Sequence, residues 1–172
     1  MADRVSDFLA QWARERPDLD TTPMGVIGRL SRVDEIASRA LQTTFQKFGL
    51  HRGEFDTLAT LRRSGSPYTL TPGELAASSM ITGAAMTNRL QRLEDKSLLE
   101  RTMDPSNRRR VLVRLTGAGR ELVDEIVVPH VNAEQELLDA RLTREEQTQL
   151  AKLLERFLEN SGDVSTHDTS KD

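Results

Sequence analysis

The sequence predicts a mainly α protein with one small β-hairpin. Only 4% of its residues are aromatic, against 37% hydrophobic and 30% charged, a balance that suits amphipathic helices better than a β-sandwich. Apolar residues recur with a helical period over most of the chain. Strand-like alternation is confined to two short segments on either side of Asp104-Pro105-Ser106-Asn107. The 172 residues suffice for one domain with appendages. No run of about 18 apolar residues occurs, and Asp3, Arg4 and Asp7 interrupt the first turns, so no membrane segment or signal peptide is expected and the location expected is cytoplasmic. With no Cys, disulfides, thiolate metal sites and thiol redox sensing are excluded.

Val5, Phe8, Leu9 and Trp12 fall on one helical face, which predicts a short amphipathic helix over residues 1–16, with Trp12 as a candidate core anchor. Pro17, Asp18, Asp20 and Pro23 break it, because Pro17 drives Arg16 out of the helical region. From Met24 to Phe48 the positions Ile27, Leu30, Val33, Ala37, Leu41, Phe45 and Phe48 keep a helical period until Gly49 stops the run. A further helix over 51–63 faces inward with Phe55, Leu58, Ala59 and Leu61 and closes at Ser64-Gly65-Ser66-Pro67. Asp56 borders that face, where a solvated helix residue and a functional carboxylate fit equally well.

Thr71-Pro72-Gly73-Glu74 is a capping box with Pro at the first helical position, and it opens a short helix to about Ser78. After a turn at 79–81, Thr82 caps a helix running to about Ser97, which buries Met86, Leu90 and Leu93. Its opposite face carries Ala84, Thr87, Asn88, Gln91 and Arg92, small, polar or cationic groups suited to the edges of bases in a major groove, and Thr82 and Gly83 at its start are expected to approach the DNA with them. Arg89 flanks the buried stripe, and its guanidinium can turn inward to a carboxylate or ligand, or outward to a phosphate. Two strands, 98–103 and 110–115, enclose a turn; Arg108 and Arg109 at its tip suit the minor groove or phosphates, and Arg110 at the start of the returning strand is expected to bind DNA with them. The formal net charge is −3, yet eight Lys and Arg residues crowd between Arg89 and Arg114 against four carboxylates, so the positive charge lies where the motif lies. Helix, turn, helix and hairpin in this order spell a winged helix-turn-helix that binds double-stranded DNA.

Thr116 caps a helix with Leu122, Val123, Ile126 and Val127, expected to kink at Pro129 before resuming to about Leu138. Leu142-Thr143-Arg144-Glu145-Glu146 opens a last helix with Leu150, Leu153, Leu154, Phe157 and Leu158. These helices and the one from Met24 are expected to form the dimerisation region of a homodimer on a pseudo-palindromic operator. The expected organisation is an added helix and loop over 1–23 and one domain over 24–160, with the winged helix at about 50–115 and dimerisation helices at 24–48 and 116–160. A disordered acidic tail over 161–172 completes it. His51, His130 and His167 are too scattered for a metal site and read as surface or tail histidines. No nucleophile with its base, metal cluster or phosphate-cradling loop supports an enzyme, and no cofactor is expected.

The stretch TNRLQRLEDKSLLERTMDPSNRRRVLVRLTGAGREL strongly resembles the MarR family of dimeric winged-helix regulators, and the likeness covers about residues 24–160. The N-terminal QWARERPDLDTTPMGVIGRL resembles the added helix of that family's urate-responsive subgroup. The resemblance implies four ligand residues: Trp12, Asp56, Arg89 and Arg101, in the contexts QWARERPDLD, GEFDTL, MTNRL and LLERT. It implies that Trp12 walls a flat ligand, that Arg101 pairs with a small anion such as urate, and that Asp56 and Arg89 link the cleft to the DNA helix. An anion beside Arg101 then repels Asp56, disturbs its contact with Arg89 and moves that helix, so that a repressor leaves its operator. Other subgroup members answer to carboxylate metabolites, which keeps a regulator of another aromatic or carboxylate metabolite open, as well as a protein-interaction module without DNA binding. Asp34 and Glu35 stand where some members carry a pH-sensing His, so pH sensing does not carry over.

Overall fold

The structure is a computed structural model and describes residues 2–79 and 86–163. It divides into two compact units, Met1–Ala133 and Glu134–Asp172.

In the first unit, α1 (Arg4–Glu15) begins at Asp3, whose carboxylate accepts from the Ser6 backbone N–H, and α2 spans Thr22–Gln46. Pro23, read above as part of the break, instead lies in the first turn of α2, where a missing N–H leaves no bond unmade. Gly49 ends that helix in the left-handed region at φ 68°, and Leu50 N–H returns to the Phe45 carbonyl (3.1 Å). Helix α3 (Arg52–Arg63) follows, then strand β1 (Thr69–Leu70), α4 (Pro72–Ser78) and α5 (Met86–Asp95). The predicted box at α4 is present: Glu74 N–H donates to Thr71 Oγ1 (3.2 Å) and Thr71 N–H donates to Glu74 Oε2 (2.7 Å).

Strands β2 (Leu99–Asp104) and β3 (Asn107–Leu115) form the expected hairpin, with Leu99 opposite Leu115 and Met103 opposite Val111. The sheet has a third member: β1 pairs with β3, Thr69 opposite Arg114 and Leu70 opposite Val113, giving the order β1-β3-β2. Two residues are too short to show alternation, so this strand exists only through its tertiary pairing. Helix α6 (Gly117–Asp139) continues through Pro129 as one element.

The core joins Leu41 and Phe45 of α2, Phe55, Leu58 and Leu61 of α3, Leu75 of α4, Leu90 and Leu93 of α5, Val113 and Leu115 of β3, and Val123 and Ile126 of α6. Each buried Leu contributes about 1.5–3 kcal/mol of transfer free energy. Buried Thr57 and Thr60 satisfy their hydroxyls on the carbonyls of Gly53 (2.8 Å) and Asp56 (2.7 Å). His130 is not a surface histidine: its ring packs 5.1 Å from those of both Phe45 and Phe55.

The second unit contains the end of α6 and α7 (Arg144–Asn160), opened by the predicted box between Thr143 and Glu146. No residue of α7 is buried, and Leu150, Leu153, Leu154, Phe157 and Leu158 are all exposed. Among the described residues, no helix is long and apolar enough to cross a membrane.

Candidate functional site

Helix α5 is amphipathic: Met86, Leu90 and Leu93 are buried against the core, while Thr87, Asn88, Gln91 and Arg92 are exposed on the other side. Thr82, Gly83 and Ala84, also expected to contact DNA, lie outside the described residues. The helix ends abruptly. Ser97 adopts φ 58° and Leu98 N–H bonds the Leu93 carbonyl (3.0 Å), so the chain enters β2 one residue later. Lys96 fastens this end, donating to the Gly49 carbonyl (2.9 Å) and to Glu54 (3.1 Å). The Glu54 side chain is only 4% exposed. Burial raises its pKa, but bonds from the His51 backbone and Lys96 outweigh that and leave it below its ordinary value.

At the hairpin, the Asp104 carboxylate accepts from Ser106 N (2.8 Å) and holds the turn. Arg108 and Arg109 are exposed at the start of β3. Arg110 is exposed but engaged, donating through Nη2 to Glu74 Oε1 (3.0 Å) and tying the hairpin to α4.

The four residues implied as ligand contacts lie on four elements. Trp12 of α1 lines a groove of about 350 Å³ with Val5, Phe8, Met24, Gly28 and Arg32, so the cation on that groove is Arg32 and not Arg101. Helix α1 is held to α2 by Arg29, which donates to Asp3 through Nε (2.8 Å) and to Ser6 Oγ through Nη2 (3.0 Å). First the Arg29 bond and then the Ser6 backbone bond lower the Asp3 pKa from 3.8 to about 2. A depressed carboxylate stabilises the docked helix in full above its free value, and that contribution is lost as pH falls through about 2. At neutral pH the Asp3→Asn substitution is therefore expected to speed amide exchange in residues 4–15 while leaving α3 unchanged, measured by hydrogen–deuterium exchange.

Arg89 turns inward. A Cβ built on Gly53 of α3 would come within 2.9 Å of its Nε, and its buried Nη1 has no hydrogen-bond partner. Gly53 precedes Asp56 by three residues, which puts both on one face of α3 and leads the Arg89 guanidinium to that face. Sequence reasoning missed Gly53, whose small size admits the arginine, and it missed the partner of Arg101. Arg101 of β2 grips Glu94 of α5: Nε donates to Oε2 (2.9 Å), Nη2 donates to the same carboxylate, and the backbone N–H donates to Oε1 (3.1 Å). The grip holds the Glu94 carboxyl below its ordinary pKa. Arg101 Nη2 also donates to Gln91 Oε1, and Gln91 Nε2 donates to Asp95 Oδ1 (2.8 Å).

A core of packed helices, a small antiparallel sheet and a hairpin beside an exposed polar helix face define a winged helix-turn-helix protein. The sequence profile of the MarR family matches residues 48–110. The transcriptional regulator PecS of Dickeya dadantii is 45% identical over 152 residues, spanning 88% of this chain and 91% of that protein. Among solved structures, an E. coli MarR variant complexed with operator DNA superposes with a TM-score of 0.68 at 27% identity, covering 86% of this chain and 97% of that one. Bordetella bronchiseptica BpsR, described as regulated in its DNA binding by 6-hydroxynicotinic acid, gives a TM-score of 0.68 at 28% identity, over 77% of this chain and 91% of its own. The chain belongs to the MarR family of transcriptional regulators.

Proposed function

We propose that this protein is a ligand-responsive DNA-binding regulator, a repressor that leaves a pseudo-palindromic operator when urate or a related small anion binds. The observation that carries the DNA part is the exposed row Thr87, Asn88, Gln91 and Arg92 on α5 with the exposed Arg108 and Arg109 on the neighbouring hairpin. The helix offers hydrogen-bonding groups to base edges and the hairpin offers positive charge to phosphates. The E. coli relative solved on operator DNA supports this reading.

For the ligand part, this reading takes Arg101 as the counter-charge and Asp56 and Arg89 as the link to α5, with Trp12 as an aromatic wall on the groove that Arg32 also lines. The unburied apolar side chains of α7 support a homodimer. A second reading, an aromatic carboxylate in place of urate, is favoured by the BpsR relative and by the aromatic and cationic lining of the Trp12 groove. The deciding experiment is a gel-shift titration on the DNA just upstream of the protein's own gene, with and without urate and 6-hydroxynicotinate. Release by urate is the expected result. No shift at low salt overturns the DNA reading, and a shift that neither compound releases overturns the ligand reading alone.

A further inference from the structure

We propose that Glu94 is a built-in competitor for the anionic ligand: its carboxylate occupies the anion position that Arg101 offers, and the ligand gains that position by displacing it. This inference rests on the reading of Arg101 as the ligand's counter-charge.

The donor set around Glu94 is the one an external anion would need. One backbone N–H and two guanidinium nitrogens of a single residue converge on one carboxylate, a charge-assisted fork with fixed geometry. Both side chains are about two-thirds covered, at 28% exposure for Arg101 and 30% for Glu94. Binding an anion beside the intact pair would put two negative charges against one arginine, with Asp95 nearby also acting on it. Exchange avoids that, since one anion replaces another and the freed Glu94 turns to solvent.

The exchange has a direct route to the DNA-facing surface. Arg101 also holds Gln91 Oε1, while Gln91 Nε2 holds Asp95. Glu94 and Gln91 lie three residues apart on α5, and Gln91 belongs to the exposed row proposed to meet bases. A ligand that takes Arg101 therefore releases two side chains of α5 at once. The free end of the tie is on the reading helix, and the fixed end is on the hairpin strand. Linkage then demands a reciprocal effect: whatever weakens the hold of Glu94 on Arg101 favours ligand and disfavours operator.

The test uses the full-length protein with Glu94→Gln, which keeps the shape and removes the charge. Urate affinity is measured by isothermal titration calorimetry, and operator affinity by gel shift. Glu94→Gln is expected to bind urate at least about fivefold more tightly and operator more weakly by a comparable factor, the low end of typical allosteric coupling. Opposite signs separate this from general damage, which weakens both. Glu94→Asp, too short to reach every donor, is expected to shift both affinities in the same directions by less; circular dichroism establishes which variants are folded, and if Glu94→Gln is not, Glu94→Asp decides by the same signs. If wild type binds urate, Arg101→Ala abolishes that binding and a folded Glu94 variant does not tighten it, the competitor is disproved while the ligand reading survives. If neither urate nor 6-hydroxynicotinate binds wild type, both fall together.

Discussion

Alanine in place of Gly119 is expected to destabilise the protein by about 3 kcal/mol, at the upper end of what overpacking costs. Gly119 is buried in the first turn of α6, and a Cβ there would sit 2.0 Å from the Leu98 carbonyl oxygen and 2.8 Å from Leu115 Cδ1. The nearer obstacle is backbone, and it is itself fastened, since the Leu98 carbonyl accepts from Thr116 N–H (3.2 Å). No side-chain rotation can make room. Either α6 lifts from the sheet or the turn between α5 and β2 deforms, so operator affinity falls together with the unfolding midpoint. Chemical denaturation followed by circular dichroism measures the first and a gel shift the second. A variant as stable as wild type would show that α6 does not pack on Leu98 in solution.

The double substitution Leu153→Glu, Phe157→Glu is expected to convert the protein to a monomer and to weaken operator binding by a factor on the order of 10² to 10⁴, the avidity lost when two linked half-sites are engaged separately. Leu153 and Phe157 are 56% and 57% exposed, so the change disturbs little packing within the described chain. Far-UV circular dichroism should therefore hardly change. Under the homodimer proposed above, the carboxylates would be buried against the partner copy without counter-ions, which opposes association strongly. Analytical ultracentrifugation reads the assembly state directly. A dimer that persists in this variant would remove α7 from the proposed interface.

The helical elements were legible because their causes are local. Met86, Leu90 and Leu93 announce a buried stripe by spacing alone, and Thr71 with Glu74 or Thr143 with Glu146 announces a helix start within four residues. The hairpin was legible for the same reason, from alternation around Asp104 and Pro105. What escaped was set by partners distant in sequence. Nothing local in the sequence marks Glu54 for burial, and its cationic partner Lys96, which donates to it (3.1 Å), lies 42 positions on. Arg110 reads as one more wing cation until Glu74, 36 positions earlier, engages it. Strand β1 exists only because β3 lies beside it. In the candidate site, the inward option left open for Arg89 is the one adopted, but its dependence on Gly53 follows from helix packing and not from any motif. The pairing of Arg101 with Glu94 crosses from strand to helix, a relation that no single periodicity encodes.

The junction at Ser97 and Leu98 leaves almost no slack between reading helix and wing. It spans three residues from Lys96 and is pinned on both sides, by Leu98 N–H on Leu93 and by Thr116 Oγ1 on the Ser97 carbonyl (2.9 Å). The ten residues of α5 then act as a lever with its fulcrum at this point. Such a helix is about 15 Å long, so a tilt of about 4° at the fulcrum moves its far end by about 1 Å. A disturbance at Arg101, close to the fulcrum, is thus magnified toward the end of the helix that lies farthest from it.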